Sequence, residues 1–111
     1  MELTTTQYKR CDLIKPVGRI DGSNASDLEK LLTQFTDESK FKLVLDMSDV
    51  NFMSSAGWWV LIRIQKVCKR YKRGELVLVN VDERIRGSLD LVGMGSYFKI
   101  FDDITAAVGS F

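Results

Sequence analysis

Two adjacent serines, Ser54 and Ser55, stand between an apolar run and an amphipathic stretch, and they are the residues of this chain best placed to do chemistry. A serine can attack as a nucleophile or accept a phosphoryl group. Attack at neutral pH needs a positioned base, and with no histidine in the chain only a lysine or a carboxylate could serve. No such constellation is visible, so serine catalysis fits poorly. Asp46 and Asp49 raise the alternative of a phosphoaspartate receiver, which uses an acid at the end of a central strand. The first long strand ends without an acidic pair, however, and no lysine follows the later strands at Val79 or Ile100, so Asp46 reads as a turn or loop-binding acid. The lack of histidine also removes the commonest metal ligand. Gly93 and Gly95 follow a helix instead of linking a strand to one, which makes them a helix stop and not a phosphate loop. No cofactor or metal is expected.

The elements that must position the serines are legible on both sides. Leu43, Val44 and Leu45 form an aliphatic run too short for a helix, which fits a buried central strand ending at the acids of residues 46–49. Val60, Leu61, Ile64, Val67, Cys68 and Tyr71 recur at helical spacing, with Arg63, Lys66, Lys69 and Arg70 opposite. The helix should begin near Ser55. Ser54, Ser55, Ala56 and Gly57 are residue types that cap a helix or let another backbone approach closely. On composition alone one serine is an N-cap worth about 1 kcal/mol. Gly57 is expected against a neighbouring backbone or a partner. Stepping ~100° per residue, Trp58 falls at the margin of the apolar stripe and Trp59 on the far side with Lys66 and Arg70. Trp59 is then either an interface residue or a cover for the stems of Arg63 and Arg70 or the loop at residues 21–24.

The rest of the chain alternates strands with helices. Residues 3–8 and 11–17 read as two strands joined by a turn at Lys9 and Arg10, the first at a sheet edge, with Pro16 placing the end of the second at an edge or bulge. Asp21, Gly22, Ser23 and Asn24 form a loop, with Ser23 or Asn24 capping a helix that carries Ala25, Leu28, Leu31, Leu32 and Phe35. A basic last turn and Gly74 in a left-handed cap close the serine helix. A strand at residues 75–79, a helix with Ile85, Leu89 and Val92, a short strand at 98–101 and a last helix capped by Asp102 complete the chain. The class is α/β, a mixed and mostly parallel sheet of four to five strands packed with about four helices in one domain over residues 1–111. In such a sheet the loops at residues 21–24 and 48–57 both lie beyond the carboxyl ends of the strands and can form one surface.

The run from Leu45 through Asp46, Asp49, Phe52 and Ser54 to Gly57, followed by an apolar helix, resembles the central motif of the anti-sigma-factor antagonist (STAS) family. The likeness extends upstream to Gly18, Ile20 and Asp21 and downstream to the stretch from Leu89 to Phe101, so it covers nearly the whole chain. In that family the first serine of a serine-serine/threonine/alanine-glycine turn is the phosphoacceptor, which by position is Ser55 here. Many members carry an aspartate immediately before it, where this chain has Ser54, so Ser54 stays open as the second choice. The resemblance implies a binding module and not an enzyme: unmodified, it binds an anti-sigma-factor serine kinase and frees a sigma factor, until the kinase phosphorylates Ser55, and a serine phosphatase restores it. Asp21, Gly22, Ser23, Asn24, Ser54, Ser55, Ala56, Gly57, Trp58 and Trp59 are the implied partner-facing set. The alternative is a constitutive STAS-like adaptor of a transporter ATPase or other signalling complex, using the same surface without phosphorylation.

Composition agrees with a small soluble domain. The 111 residues are 45% apolar and 28% charged, and the formal net charge is +1. That balance gives no support to direct nucleic-acid binding, which needs cations gathered on one face. The basic run Lys66, Lys69, Arg70, Lys72 and Arg73 reads as solvated charge at the negative end of a helix. No run approaches the ~20 apolar residues of a membrane span and no signal peptide is apparent, so no membrane is implicated and a cytoplasmic location is expected. Cys11 and Cys68 read as free thiols.

Overall fold

The computed structural model describes residues 1–71 and 73–111; Lys72, part of the basic run, lies outside the described residues. The elements are β1 (Glu2–Gln7), β2 (Asp12–Ile20), α1 (Ala25–Asp37), β3 (Lys42–Asp46), β4 (Val50–Met53), α2 (Ser55–Cys68), β5 (Glu75–Val79), α3 (Glu83–Leu91), β6 (Ile100–Phe101) and α4 (Ile104–Gly109). β1 pairs antiparallel with β2 at one edge of the sheet, and every other pairing is parallel. The strands run β1-β2-β3-β5-β6, with β4 beside the far half of β2. This is the mixed, mostly parallel α/β sheet that the alternation of elements implies.

β4 is the element that the sequence pattern hides. Residues 48–57 read as one loop, yet Val50–Met53 pairs with residues 18–20 of β2. Val50 and Met53 are buried while Asn51 and Phe52 face outward, so the strand lacks the strict alternation by which strands are recognised. β2 accordingly runs on past Val17 to Ile20. Pro16 sits where β2 has left β3, whose pairing ends at Ile14, and has not yet met β4, whose pairing begins at Gly18. On that side no ladder bond is asked of it.

The period-two pattern of the central strands divides the core between two faces. Leu43, Leu45, Leu76 and Leu78 pack toward α1, α2 and α3, while Val44, Val77 and Val79 pack with Ala107 of α4. α2 is buried on more than the expected stripe, because Ile62 and Gln65 are also inside. Gln65 repairs a defect in the sheet. β6 begins only beside Leu78, so Leu76 has no strand on that side. Gln65 Oε1 accepts from the Leu76 amide at 2.7 Å and its Nε2 donates to the Leu76 carbonyl at 3.0 Å.

Three local expectations are corrected. Gly74 does not make a left-handed cap: the positive φ belongs to Arg73, at 59°. Gly74 is needed for room, since a Cβ there would lie 2.5 Å from Phe41 Cβ and closer still to the Cys68 carbonyl oxygen. α2 ends at Cys68, so Tyr71 is not on its apolar stripe; it is exposed and stacks on Phe41 with ring centroids 4.6 Å apart. Asp103, and not Asp102, caps α4 by accepting from the Ala106 amide at 2.7 Å. Both cysteines are free and buried, and burial pushes the Cys68 thiol up to about 12. Among the described residues no helix is long and apolar enough to cross a membrane.

Gln65→Leu leaves a buried amide and a buried carbonyl without partners, each costing about 1–3 kcal/mol. Its urea midpoint should fall by an amount equal to roughly 2–4 kcal/mol, with the slope of the transition unchanged.

Candidate functional site

The site is built where β4 hands over to α2. Asp46, buried at the end of β3, accepts from the Ser48 amide at 3.0 Å and from Asn80 Nδ2 at 3.5 Å, which turns the chain and ties it to the end of β5. Asp49 then pairs with Lys15 at 3.0 Å while its carbonyl accepts from the Gly18 amide. From there β4 runs along β2, placing Phe52 beside Arg19 and Met53 beside Ile20, and the Ser54 amide donates to the Ile20 carbonyl at 2.9 Å. The chain enters α2 at a fixed height above β2. It therefore lies directly beside the residues that come after Ile20.

Those residues form a loop held by its own side chains. Asn24 occupies the N-cap position of α1, but its side chain makes no cap bond; it accepts from the Asp21 amide at 2.9 Å and donates to the Arg19 carbonyl at 2.8 Å. Asp21 accepts from the amide and hydroxyl of Ser23. Those two bonds, with Arg19 nearby at 3.6 Å, hold the Asp21 carboxyl below its ordinary range. Arg19 also lies over the Phe52 ring, 4.2 Å from its centre. Gly22 has open space where a side chain would be. The Ser54–Ile20 hydrogen bond brings the entry to α2 next to the residue that leads into the loop at 21–24.

The two serines differ sharply. Ser54 is the N-cap residue of α2, in extended conformation at φ −85° and ψ 169°, yet its hydroxyl makes no cap bond. Its Oγ is buried without a partner. Ser55, the first residue of the helix, is exposed, and the amides of the first turn have no acceptors within the helix. Gly57 is buried on the β2–β4 ladder: a Cβ there would stand 2.6 Å from Met53 Sδ and 2.8 Å from Ile20 Cγ2. Its neighbours are core side chains, not a backbone or a partner. Trp58 is also fully buried, donating from Nε1 to Ser88 Oγ of α3 at 2.7 Å. Gly57 and Trp58 therefore drop out of the partner-facing set as direct contacts. Trp59 is 45% exposed, on the face that also carries Ser55 and Arg63. Arg63 does not lie over the indole; it forms a two-bond pair with Glu29 of α1 at 2.7 and 3.0 Å.

The sequence pattern of the STAS domain matches residues 2–107. The chain belongs to the STAS domain family. BtrV of Bordetella bronchiseptica, named as a candidate anti-sigma factor antagonist, is 30% identical over 94 residues, covering 85% of this chain and 80% of that protein. An anti-sigma factor antagonist from Mycobacterium paratuberculosis superposes with a TM-score of 0.86 at 22% identity, over 98% of this chain and 92% of its own. The Bacillus cell fate determinant SpoIIAA in its phosphorylated form superposes with a TM-score of 0.76 at 14% identity, over 98% of both chains.

In this STAS domain sequence reasoning missed two residues of the surface, Arg19 and Phe52. Their signal was present: once Ile20 and Met53 are set inward, Arg19 and Phe52 must face out on the same pair of strands. A cavity of about 250 Å³ lined by Asn51, Phe52, Met53, Arg84, Ile85 and Ser88 extends the surface toward α3.

Ser54→Ala removes a buried hydroxyl that bonds nothing, so it should leave stability unchanged or raise it slightly, where loss of a working serine cap costs about 1 kcal/mol. Gly57→Val must displace Ile20, which is β-branched and stiff, and should cost about 1–3 kcal/mol. Thermal melts of the two variants beside the parent check both.

Proposed function

We propose that this STAS domain is an anti-sigma-factor antagonist: unphosphorylated, it binds an anti-sigma-factor serine kinase and so frees a sigma factor. Phosphorylation of Ser55 by the kinase ends the interaction, and a serine phosphatase reverses it. The observation that carries this reading is the asymmetry of the serines. Ser55 is exposed at the start of α2, one turn before the exposed Trp59, while the Ser54 hydroxyl is buried and out of reach of a kinase. The names of BtrV and of the mycobacterial protein support the antagonist role, and the phosphorylated form of SpoIIAA supports the modification. The role is binding in the cytoplasm, with no cofactor and no chemistry of the domain's own.

The physical basis of the switch lies in where the new charge falls. Phosphorylation adds about −1.5 to −2 charges at a helix N-terminus, where free amides and the dipole stabilise it by roughly 0.3–1 kcal/mol. Asp21 and Ser55 each directly follow a residue of the Ser54–Ile20 hydrogen bond, so the new charge falls near the ionised Asp21 and a partner covering both must accept more negative charge. Desolvating that charge weakens the complex.

Mass spectrometry of protein treated with its cognate kinase should place phosphate on Ser55 and none on Ser54. Ser55→Ala should bind the kinase constitutively and Ser55→Asp more weakly; equal binding of Ser55→Asp and parent in calorimetry, with no phosphate found on Ser55, rejects the switch. Trp59→Ala should cost about 2 kcal/mol of binding and under about 1 kcal/mol of stability, since an exposed aromatic at an interface core is a common hot spot. Trp58→Ala should cost about 3–5 kcal/mol of stability. Denaturation and binding titrations on the pair read the two effects separately.

A further inference from the structure

The net charge of +1 conceals a separation of charge between the two ends of the sheet. At the carboxyl ends of the parallel strands, the loops at residues 21–24, 47–49, 80–82 and 102–103 carry Asp21, Asp49, Asp82, Asp102 and Asp103 and no cation. At the opposite end, the described residues of the loops at 8–11, 38–41 and 69–74 carry Lys9, Arg10, Lys40, Lys69, Arg70 and Arg73 against the single acid Glu38. Ion pairs from flanking strands moderate the acidic end, through Lys15 and Arg19. At the basic end Lys40 pairs with Glu38 at 3.5 Å, but among the described residues no carboxylate lies within ion-pair distance of Lys9, Arg10 or Lys42. Composition alone gives no sign that cations gather on one face. The fold gathers them.

The basic end is also concave. A cavity of about 310 Å³ opens between the β1–β2 turn and the entry to β3, with Lys9, Arg10, Lys40 and Lys42 on its walls beside the rings of Tyr8 and Phe41. Its one carboxylate is Asp12, which burial pushes above the ordinary carboxylate range, opposed by the charge of Lys40 and helped by that of Glu38. With Lys40 paired to Glu38 and Asp12 set against the rest, the four cations still leave a surplus of about two charges, more than a monoanion matches. Ligand sites begin at roughly 300 Å³, so the space suits a small molecule and not a protein segment. Lysine ammonium groups act as mobile point charges and the Arg10 guanidinium as a planar fork, the combination that holds phosphate oxygens. The aromatic walls offer a face to an apolar or ring portion. Because the cavity lies at the amino ends of the strands, a ligand here leaves the Ser55 surface uncovered.

We propose that this cavity binds a small anion carrying two or more phosphate charges, either free or as the headgroup of a lipid. The inference stands independently of the switch at Ser55. It is tested by amide chemical-shift titration with inorganic pyrophosphate at low ionic strength. Saturable shifts should be confined to residues 8–12 and 39–42, with a dissociation constant below about 1 mM. The double variant Arg10→Ala/Lys42→Ala should weaken binding about tenfold or more, the charge-preserving pair Arg10→Lys/Lys42→Arg should restore most of it, and Lys30→Ala on α1 should change nothing. Asp12→Asn should strengthen it. Flotation with phosphatidylcholine vesicles, with and without phosphatidylinositol 4-phosphate, separates the sources: retention only with the phosphoinositide assigns the headgroup, and pyrophosphate binding without retention assigns a free anion. Shifts that fail to saturate, that spread over all exposed lysines, or that survive the double variant overturn the proposal.

Discussion

The closeness of the first turn of α2 to the β2–β4 ladder is the constraint on which the rest of the site depends. Residue 57 stands so near Ile20 and Met53 that no Cβ fits, and this contact fixes both the height and the rotation of the helix. Once Gly57 faces the ladder, the ~100° step between residues sets the direction of each neighbour. Trp58 turns into the core, Trp59 turns out, and Ser55 is left on the outer side of the first turn. A helix shifted outward by one methyl group would move the serine relative to the loop at residues 21–24. The glycine acts through packing and needs no contact of its own with a partner.

Three interactions hold α2 in that pose, and their magnitudes differ. Complete burial of the Trp58 ring, with its indole N–H satisfied by Ser88, contributes most, since loss of a buried tryptophan costs about 3–5 kcal/mol. Gln65 comes next, because it satisfies two backbone groups of β5 that the short β6 cannot reach. The Arg63–Glu29 pair has good two-bond geometry, but both side chains are part-exposed and screened, so it contributes at most about 1 kcal/mol. Its effect is to set α1 against α2 and to keep Arg63 away from Trp59. The buried contacts carry the stability, and the ion pair tunes the surface.

Much of this is legible in the sequence, for physical reasons that also explain the omissions. The start of α2 near Ser55 and the strands around 43–45 and 75–79 are read easily, because each has a strong period and is buried on a face that the period defines, but the same period carries the helix past its true end at Cys68 to Tyr71. The phase of the helix is legible as well, which separates Trp58 from Trp59. β4 is hidden because its four residues obey no period, and Gln65 because a polar residue on a helix is ordinarily placed in water. The correct roles of Gly57 and Gly74 depend on atoms far away in sequence, Ile20 in one case and Phe41 in the other. No local pattern contains those distances. The charge separation between the two ends of the sheet is hidden for a related reason: composition adds the charges, and only the order of strands and helices assigns each loop to an end.

The same geometry explains how the proposed switch would sit on so small a fold without unsettling it. Total stability for a domain of this kind is about 5–15 kcal/mol, and a phosphate at the exposed first residue of α2 changes that by less than about 1 kcal/mol through the helix dipole. Its repulsion from Asp21 acts across water and is screened over about 8 Å at physiological salt. Neither effect reaches the contacts of Gly57, Trp58 or Gln65. Binding differs because a partner removes that water: the charge that solvent screened must then be desolvated, at several kcal/mol for an ion left without a match. A Ser54 phosphate would reverse the logic, since its oxygen is enclosed where α2 meets β2 and the group could be admitted only by lifting the helix from the ladder. Burial of one hydroxyl and exposure of the next would thus confine the proposed modification to the position where added charge meets a partner and spares the fold.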